Sequence, residues 1–313
     1  MRFYVKKIIT LVLTLLLVSL LTFVAFQVIP GDGALSKLGM DATEEQIEAL
    51  RESLGLNDSM VVRFTRFLEG AVKGDFGNSS QYSVSVTSLV KDRLPVTVWL
   101  AGLSIAMIVV ISIPLGILCS RKQNGIVDRL ITLVTQAFMA VPSFFLGILI
   151  TLIFGVTLKW FIPGKYVGPS QDFGQFIQYM IFPAVAVSVP KIAMTVKFLR
   201  SSVIRELKRD YVRTAKSKGN RERRILYKHV LKNALMPVIT FMGMVIADVL
   251  AGSIVIEQVF NLPGMGRLLV VAISNRDFNV VQAAVLYIAA VVIIINFIVD
   301  LLYQKVDPRV KIS

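Results

Sequence analysis

Long apolar stretches alternate with short polar ones along this chain, and the apolar stretches are of membrane-spanning length. A helix of about 20 apolar residues crosses the hydrocarbon core of a bilayer. Six stretches meet this requirement, namely 8–28, 96–119, 130–158, 176–199, 235–259 and 280–302. The fourth is the least regular because Pro183, Pro190, Lys191 and Lys197 interrupt it. The pattern predicts an all-α membrane protein with six transmembrane helices.

The polar segment 30–95 is too long to be a simple connector between the first two spans. Within it, the stretch DATEEQIEALRESLGLN has helical periodicity. Thr43 and Gln46 have the spacing of a capping box, and Gly55 is placed to end the helix in a left-handed conformation. We therefore expect three parts: a first transmembrane helix at 1–29, a folded cap loop at 30–95, and a five-helix core at 96–313 that includes a cytoplasmic loop at 200–234.

Charge is distributed unevenly between the polar segments, and this asymmetry predicts the orientation. Segment 200–232 holds twelve Lys and Arg residues against three acidic ones, whereas segment 30–95 holds seven against ten. Basic loops remain in the cytoplasm. We therefore expect both termini and segment 200–232 to be cytoplasmic and segment 30–95 to be extracytoplasmic. The net charge of +14 is explained by topology and does not indicate nucleic-acid binding.

The densest block of positive charge is 209–230, RDYVRTAKSKGNRERRILYKHV. It predicts two helices with a turn at 218–220, in which Gly219 is a left-handed C-cap and Asn220 is the next N-cap. In the first helix Tyr211, Val212 and Ala215 form an apolar face, with basic residues at the other positions. Two interpretations remain open: a basic helix on anionic lipid, or a docking element for a soluble partner.

Several kinds of chemistry are excluded by what the sequence lacks. It contains no phosphate-binding G-x-x-x-x-G-K-[ST] motif, so ATP and Mg²⁺ would be bound by another subunit. His229 is the only histidine and Cys119 the only cysteine, which excludes histidine-rich metal sites, Ser/His/Asp triads and intramolecular disulfides. We expect no cofactor, metal site or catalytic residue in this chain.

A series of short motifs resembles one family of membrane proteins. Arg213-Thr214-Ala215-x-x-x-Gly219 is similar to the E-A-A-x-x-x-G signature of permease subunits in binding-protein-dependent ABC importers, in the form used by the dipeptide, oligopeptide and nickel branch. The other motifs follow in the order of that branch's first membrane subunit: Pro30-Gly31-Asp32, Leu54-Gly55-Leu56, Gly74-Asp75-Phe76-Gly77, Leu94-Pro95-x-Thr97, Asp210-Tyr211-Val212, Glu257-x-x-Phe260-x-x-Pro263-Gly264-x-Gly266 and Asp307-Pro308-Arg309.

The resemblance implies the type I importer permease fold and a set of partners. These are a second homologous permease subunit, two ABC ATPase subunits, an extracytoplasmic substrate-binding protein and the bilayer. It also implies that a short coupling helix fits a groove on the ATPase, with the coupling residues Tyr211, Val212, Arg213, Thr214, Ala215, Lys216 and Gly219. The chain departs from the general signature where Arg213 replaces glutamate and where proline comes only at Pro237.

The fifth and sixth spans carry features that concern the translocation pathway or helix packing. Gly243, Ala247 and Ala251 recur every fourth residue, a small-residue stripe that permits close helix approach. Asp248 lies beside the stripe in mid-span, where an ionisable group requires a polar interior or a partner. In the last span Asn296 and Asp300 share a face. The prolines at 114, 142, 183 and 190 allow kinks.

The residues leave alternatives open for substrate and class. Peptides are the expected substrate by resemblance, with nickel or a metal chelate as the alternative. From a different class, Asp248 and Asp300 could form the aspartyl pair of an intramembrane enzyme. A stand-alone carrier or channel is a third possibility, against which the docking signature argues.

Overall fold

The computed structural model describes residues 2–28, 43–53 and 57–306 of the chain. Within these residues the regular structure is helical. The helices are α1 (Arg2–Val28), α2 (Glu44–Ser53), α3 (Met60–Lys73), α4 (Val86–Arg121), α5 (Ile126–Ala140), α6 (Ser143–Ile150), α7 (Phe173–Leu207), α8 (Asp210–Ser217), α9 (Glu222–Arg224), α10 (Leu231–Val259), α11 (Met265–Ser274) and α12 (Phe278–Val306). Two wider π-helical segments, Thr151–Thr157 and Ile225–Val230, extend α6 and join α9 to α10.

The six predicted spans are confirmed. Among the described residues, five helices are long and apolar enough to cross a membrane, and the bent pair Ile126–Ala140 and Ser143–Thr157 makes the sixth when it is counted as one span. The fifth span is longer than expected, because its helix runs without interruption from Glu222 to Val259. The second of the two helices predicted in the basic segment is therefore continuous with the fifth span.

Only some of the prolines that allow kinks interrupt a helix. The two parts of the third span meet at 96°, and the break lies at Val141 and Pro142. Val141 has extended backbone angles (φ −91°, ψ 123°), as a residue before proline prefers. Pro183 and Pro190, by contrast, lie inside the continuous helix α7. The fourth span, expected to be the least regular, is one 35-residue helix.

The contacts of the chain fall into two compact units. The first comprises 1–97 and 263–293. Its buried core combines the first turns of α4 with α11 and α12, through the residues Val86, Leu89, Val90, Met265, Leu268, Ala272, Val280, Val281, Ala283 and Ala284. The loop after α3 is tied to this core because the Ser79 hydroxyl and the Gln81 N–H both donate to the Asp277 carboxylate.

The predicted capping box of α2 is present in this first unit. Thr43 N donates to Gln46 Oε1 at 3.1 Å, and Gln46 N donates to Thr43 Oγ1 at 3.4 Å. These two bonds satisfy orphan donors at the start of the helix. The expected C-terminal Gly55 lies outside the described residues.

In the second unit (98–262 and 294–313) α7 is the central helix, in contact with α5, α6 and α10. Its N-terminus is capped by Asp172, whose side chain accepts from Gln175 N at 3.0 Å. Near that end the Tyr179 hydroxyl donates to Phe260 O and accepts from Gly164 N at 3.0 Å. These two bonds connect the end of α10 to the loop that precedes α7.

Candidate functional site

The basic segment 209–230 forms the predicted pair of helical pieces, joined by a tight turn. Gly219 has φ +74°, which confirms the predicted left-handed C-cap. Gly219 N donates to Lys216 O at 2.9 Å and Asn220 N to Ala215 O at 3.3 Å, the two bonds of a Schellman motif. No atom lies within 4 Å of a Cβ added at Gly219, so its backbone conformation alone selects glycine.

The prediction that Asn220 is the N-cap of the following helix is wrong. Arg221 occupies that position, without a side-chain cap hydrogen bond. The Asn220 side chain points backward instead, and its Nδ2 donates to Ala215 O at 3.1 Å. The preceding helix therefore uses both nitrogens of Asn220 to satisfy one terminal carbonyl.

Helix α8 is amphipathic, as the sequence predicts, and its apolar face is anchored. Val212 is 1% exposed and belongs to a buried cluster that we call the coupling core. Tyr211 and Ala215 lie against the same cluster. Its members come from α4, α7, α8, the Ile225–Val230 segment and α10: Ile117, Leu199, Val203, Val212, Ile225, Leu226, Val230, Ala234 and Val238. The coupling core thus connects α8 directly to three spans.

Tyr211 adds a polar anchor at the start of α8. Its hydroxyl donates to Glu206 Oε2 at 2.9 Å. Burial raises the pKa of the Tyr211 phenol, so the hydroxyl keeps its proton and remains a donor at neutral pH. This bond links the last turn of α7 to the first turn of α8.

The opposite face of α8 is exposed and basic. Arg213, Thr214 and Lys216 all lie on it. Arg213 is 3.7 Å from Asp210, and Lys216 is 3.9 Å from Glu222, but all four side chains are mostly exposed. Exposed pairs of this kind contribute about 0–1 kcal/mol each. These cations are therefore available to a binding partner.

A second basic surface follows the turn. Arg221, Arg223, Arg224 and Tyr227 line a shallow open depression. His229, in the same π-helical segment, is half-buried. The exposed face of α8 and this depression follow each other in sequence, and both expose guanidinium or ammonium groups to solvent.

Sequence reasoning missed the ion pair that secures the helices next to the coupling core. Arg200 of α7 lies between Leu199 and Val203, two members of that core. Its Nε and Nη2 donate to the two carboxylate oxygens of Asp128 in α5 at 2.6 and 2.7 Å. Asp128 is 2% exposed and also accepts from Asn124 N at 2.9 Å. Because the partners are 72 residues apart, no local pattern indicates this pair.

Asp248 in α10 also has a partner that the sequence did not indicate. Lys191 of α7, interpreted only as an interruption of the fourth span, places its Nζ 2.8 Å from Asp248 Oδ2. Asp248 therefore pairs with a cation, which disfavours an aspartyl pair with Asp300, whose side chain lies outside the described residues.

The other residues predicted for the pathway or for packing lie in two places. On α10 Gly243 is buried, Ala247 is half-buried, and the side chain of Ala251 lies outside the described residues. Asn296 is exposed on α12. The small-residue stripe therefore lies partly inside the chain, on a helix that contacts α6 and α7.

Two of the motifs that carry the family resemblance meet in the first unit. Thr97, from Leu94-Pro95-x-Thr97, accepts through Oγ1 from Met265 N at 2.9 Å. Met265 lies between Gly264 and Gly266 at the end of the motif that begins at Glu257, and all three residues are buried. Motifs 168 residues apart in sequence thus form one structural contact.

Comparison with known proteins identifies this arrangement. Residues 112–312 match the family described as the inner membrane component of binding-protein-dependent transport systems. Residues 1–101 match the N-terminal part of such membrane components.

Full-length relatives agree with these family matches. The chain is 35% identical over 300 residues to the oligopeptide transport system permease protein AppB of Bacillus subtilis, with 95% of each chain covered. It is 36% identical over 311 residues to the glutathione transport system permease protein GsiC of Pectobacterium atrosepticum, with 99% of each covered. This chain belongs to the inner membrane permease family of binding-protein-dependent ABC importers, a family of multi-pass transport subunits rather than enzymes.

Proposed function

We propose that this chain translocates peptides, delivered by an extracytoplasmic binding protein, as one of two homologous permease subunits in an ATP-driven importer. Relatives that match almost all of its length are named for oligopeptide and glutathione transport, which favours peptides over nickel. The observation that carries the proposal is the geometry of α8, whose apolar face is buried in the coupling core while its basic face is exposed.

Helix α8 is the coupling helix in this proposal. Its rigid connection to the coupling core allows motion at its exposed face to reach α4, α7 and α10. The seven proposed coupling residues have three different roles. Val212, Tyr211 and Ala215 hold the helix to the spans. Arg213, Thr214 and Lys216 face the ATPase. Gly219 sets the direction in which the chain leaves the helix.

The ATPase surface that meets this site should be acidic. Arg213, Lys216 and the three arginines of the depression offer five cations close together in sequence. Arginine forms bidentate bonds with carboxylates. This would explain how a chain with Arg213 in place of the signature's glutamate still docks, because the chain supplies positive charge and the ATPase the negative charge.

Asp248 faces the translocation pathway in this proposal, beside the stripe of Gly243, Ala247 and Ala251, and Asn296 contributes from the last span. The support is the exposure of Asp248 at 59% of its side chain in a membrane-spanning helix. A lipid-facing carboxylate at that depth would cost several kcal/mol.

Uptake by cells tests the substrate. A strain lacking this chain should lose ATP-dependent uptake of a labelled tripeptide while nickel uptake stays normal, and the wild-type chain supplied in trans should restore peptide uptake. Loss of nickel uptake with normal peptide uptake would assign the chain to the nickel branch instead.

Purification from the host tests the class. A detergent-solubilised complex should contain a second permease and ATPase subunits, and its ATP hydrolysis should rise when loaded binding protein is added. A chain that purifies alone and transports without ATP would be a carrier or channel and would contradict the proposal.

A further inference from the structure

The ion pair between Lys191 and Asp248 lies deep in the membrane-spanning region. Within the apolar stretches 176–199 and 235–259, Lys191 lies eight residues and Asp248 eleven residues from the nearer end, about 12 and 16 Å along the helix axis. A hydrocarbon core is about 30 Å thick, so neither residue reaches the membrane surface by position alone.

The two members of the pair differ in exposure. The Lys191 side chain is 20% exposed and the Asp248 side chain 59%. Two charges at this depth must be paired or hydrated, and the lysine achieves this by contact with the aspartate. The outer side of the aspartate still requires a polar environment. We therefore expect its face of α10 to border a polar space or the partner permease subunit and not lipid tails.

Asp248 has one carboxylate oxygen to offer. Oδ2 accepts from Lys191 Nζ, and Oδ1 has no hydrogen-bond partner among the residues that the structure describes. A carboxylate accepts several hydrogen bonds, so Oδ1 can take another donor without breaking the ion pair.

Space for such a donor is present beside the carboxylate. Gly252 follows Asp248 by one helical turn on the same face, and a Cβ added there would meet no atom within 4 Å. Met244, one turn before Asp248, is 61% exposed. The carboxylate is thus flanked by a gap on one side and by a flexible apolar side chain on the other.

We infer that Asp248 binds the N-terminal ammonium group of the peptide in transit, through Oδ1, and that Lys191 is a positioning residue that holds the carboxylate in place. This inference rests on the proposed function as a peptide permease. A peptide carries one amino-terminal ammonium whatever its side chains, so a single carboxylate can recognise every member of the substrate class.

Lys191 also explains why such a site would not trap its ligand. When the site is empty, the lysine ammonium compensates the carboxylate, and a peptide ammonium adds only one more charge-assisted hydrogen bond. A translocation site must bind strongly enough for entry and weakly enough for exit. An aspartate without the lysine would bind a cation more tightly and release it more slowly.

Direct binding to the purified complex, without its binding protein, tests this inference. The two probes are trialanine with a free amino terminus and N-acetyl-trialanine. We expect the wild-type complex to bind trialanine about fivefold more tightly than the acetylated peptide, as suits a partly exposed ion pair. Asp248→Asn should remove that preference, and Asp248→Glu should retain it.

Variants of Lys191 separate positioning from a structural role. Lys191→Met should increase the preference for the free amino terminus, because the carboxylate is then uncompensated, and Lys191→Arg should return the preference to the wild-type value because the guanidinium still pairs with the carboxylate. Val255→Leu, two turns beyond Asp248 on α10 and exposed, is the uncharged matched control and should bind both peptides as the wild type does.

Equal binding of the two peptides by the wild-type complex would overturn the inference. So would an Asp248→Asn variant that weakens both equally, since that is the result of a structural pair. The proposed function fails separately, if cells lacking the chain import peptides normally.

Discussion

Val212 is the residue through which α8 is most firmly attached to the spans. Its side chain is 1% exposed in the coupling core, whereas Arg213 and Thr214 beside it are exposed. Burial of an aliphatic side chain of this size contributes about 1.5–3 kcal/mol. Val212 is the residue of α8 whose side chain is fully buried, and its burial helps to keep the helix in place.

Val212→Ala should loosen α8 without unfolding the spans. The lost methyl groups and the cavity they leave should cost about 2 kcal/mol. Trypsin digestion of the purified complex measures the effect, because Arg209, Arg213 and Lys216 supply cleavage sites within the segment. We expect cleavage there to be about tenfold faster or more.

Thr214→Ala is the matched control for this variant. Thr214 is exposed, and its hydroxyl donates only to Asp210 O within the same helix. Its rate of cleavage should stay close to that of the wild type. Equal rates for Val212→Ala and the wild type would show that the coupling core does not hold α8.

Local chemistry made some residues predictable from sequence and long-range contacts hid others. Gly219 and the Thr43–Gln46 capping box depend on neighbours within a few residues, and both predictions are confirmed. Asn220 was misassigned because its amide can cap the helix behind it as well as the one ahead. Lys191 and Arg200 find partners 57 and 72 residues away, which no local pattern shows.

At the scale of helices, the ion pair of Asp128 and Arg200 fixes α5 to α7 beside the coupling core. Arg200→Met should destabilise the chain by about 3–5 kcal/mol, because it leaves the buried Asp128 carboxylate without its counter-charge. Thermal unfolding of the purified complex in detergent measures the loss as a lower Tm.

A double variant provides the control for this ion pair. Asp128→Leu combined with Arg200→Met removes both charges, and well-packed apolar replacements of buried pairs are often neutral or stabilising. The Tm should therefore recover most of the loss. A double variant as unstable as Arg200→Met alone would mean that packing, and not the unpaired charge, causes the effect.

The spans themselves were predictable because membrane-spanning length and low charge are properties of the sequence. What the sequence did not decide was which proline breaks its helix. Val141 adopts an extended backbone conformation before Pro142 and the helix ends there, whereas α7 continues through Pro183 and Pro190. Neighbouring helices can compensate for the hydrogen bonds that proline removes, and α7 is enclosed by three of them. That compensation depends on tertiary contacts.

For the whole molecule, charge asymmetry predicts the orientation in the membrane. Single cysteines at Ser53 and Ser217, introduced into a Cys119→Ala background, should be labelled from opposite sides. An impermeant maleimide added to intact cells should react at position 53 and should reach position 217 only after the membrane is opened.

Labelling of position 217 in intact cells would contradict both the orientation and the role of α8. Surface exposure is not a concern at position 217, since Ser217 is exposed. Cys119 is buried, so its replacement should leave the surface of the complex unchanged.

Family membership could be predicted from sequence because motifs recur in a fixed order along the chain. The substrate could not, because by family resemblance the binding protein performs most of the selection. The Lys191–Asp248 pair is the feature of the structure that adds to the substrate question, and it appears only when α7 and α10 are brought together.

The most direct test of the account is ATP hydrolysis by the reconstituted complex in response to loaded binding protein, measured for Gly219→Val. Valine at φ +74° should cost about 1–2 kcal/mol and redirect the chain after α8, although no neighbouring atom would clash with its Cβ. We predict normal membrane insertion and a loss of stimulated ATP hydrolysis. The comparison is a variant in which Lys216, Lys218 and Arg221 are all neutralised. If the segment were merely a basic loop, this variant would change the membrane topology and Gly219→Val would have no effect. Full stimulation in Gly219→Val would contradict the coupling role of this segment.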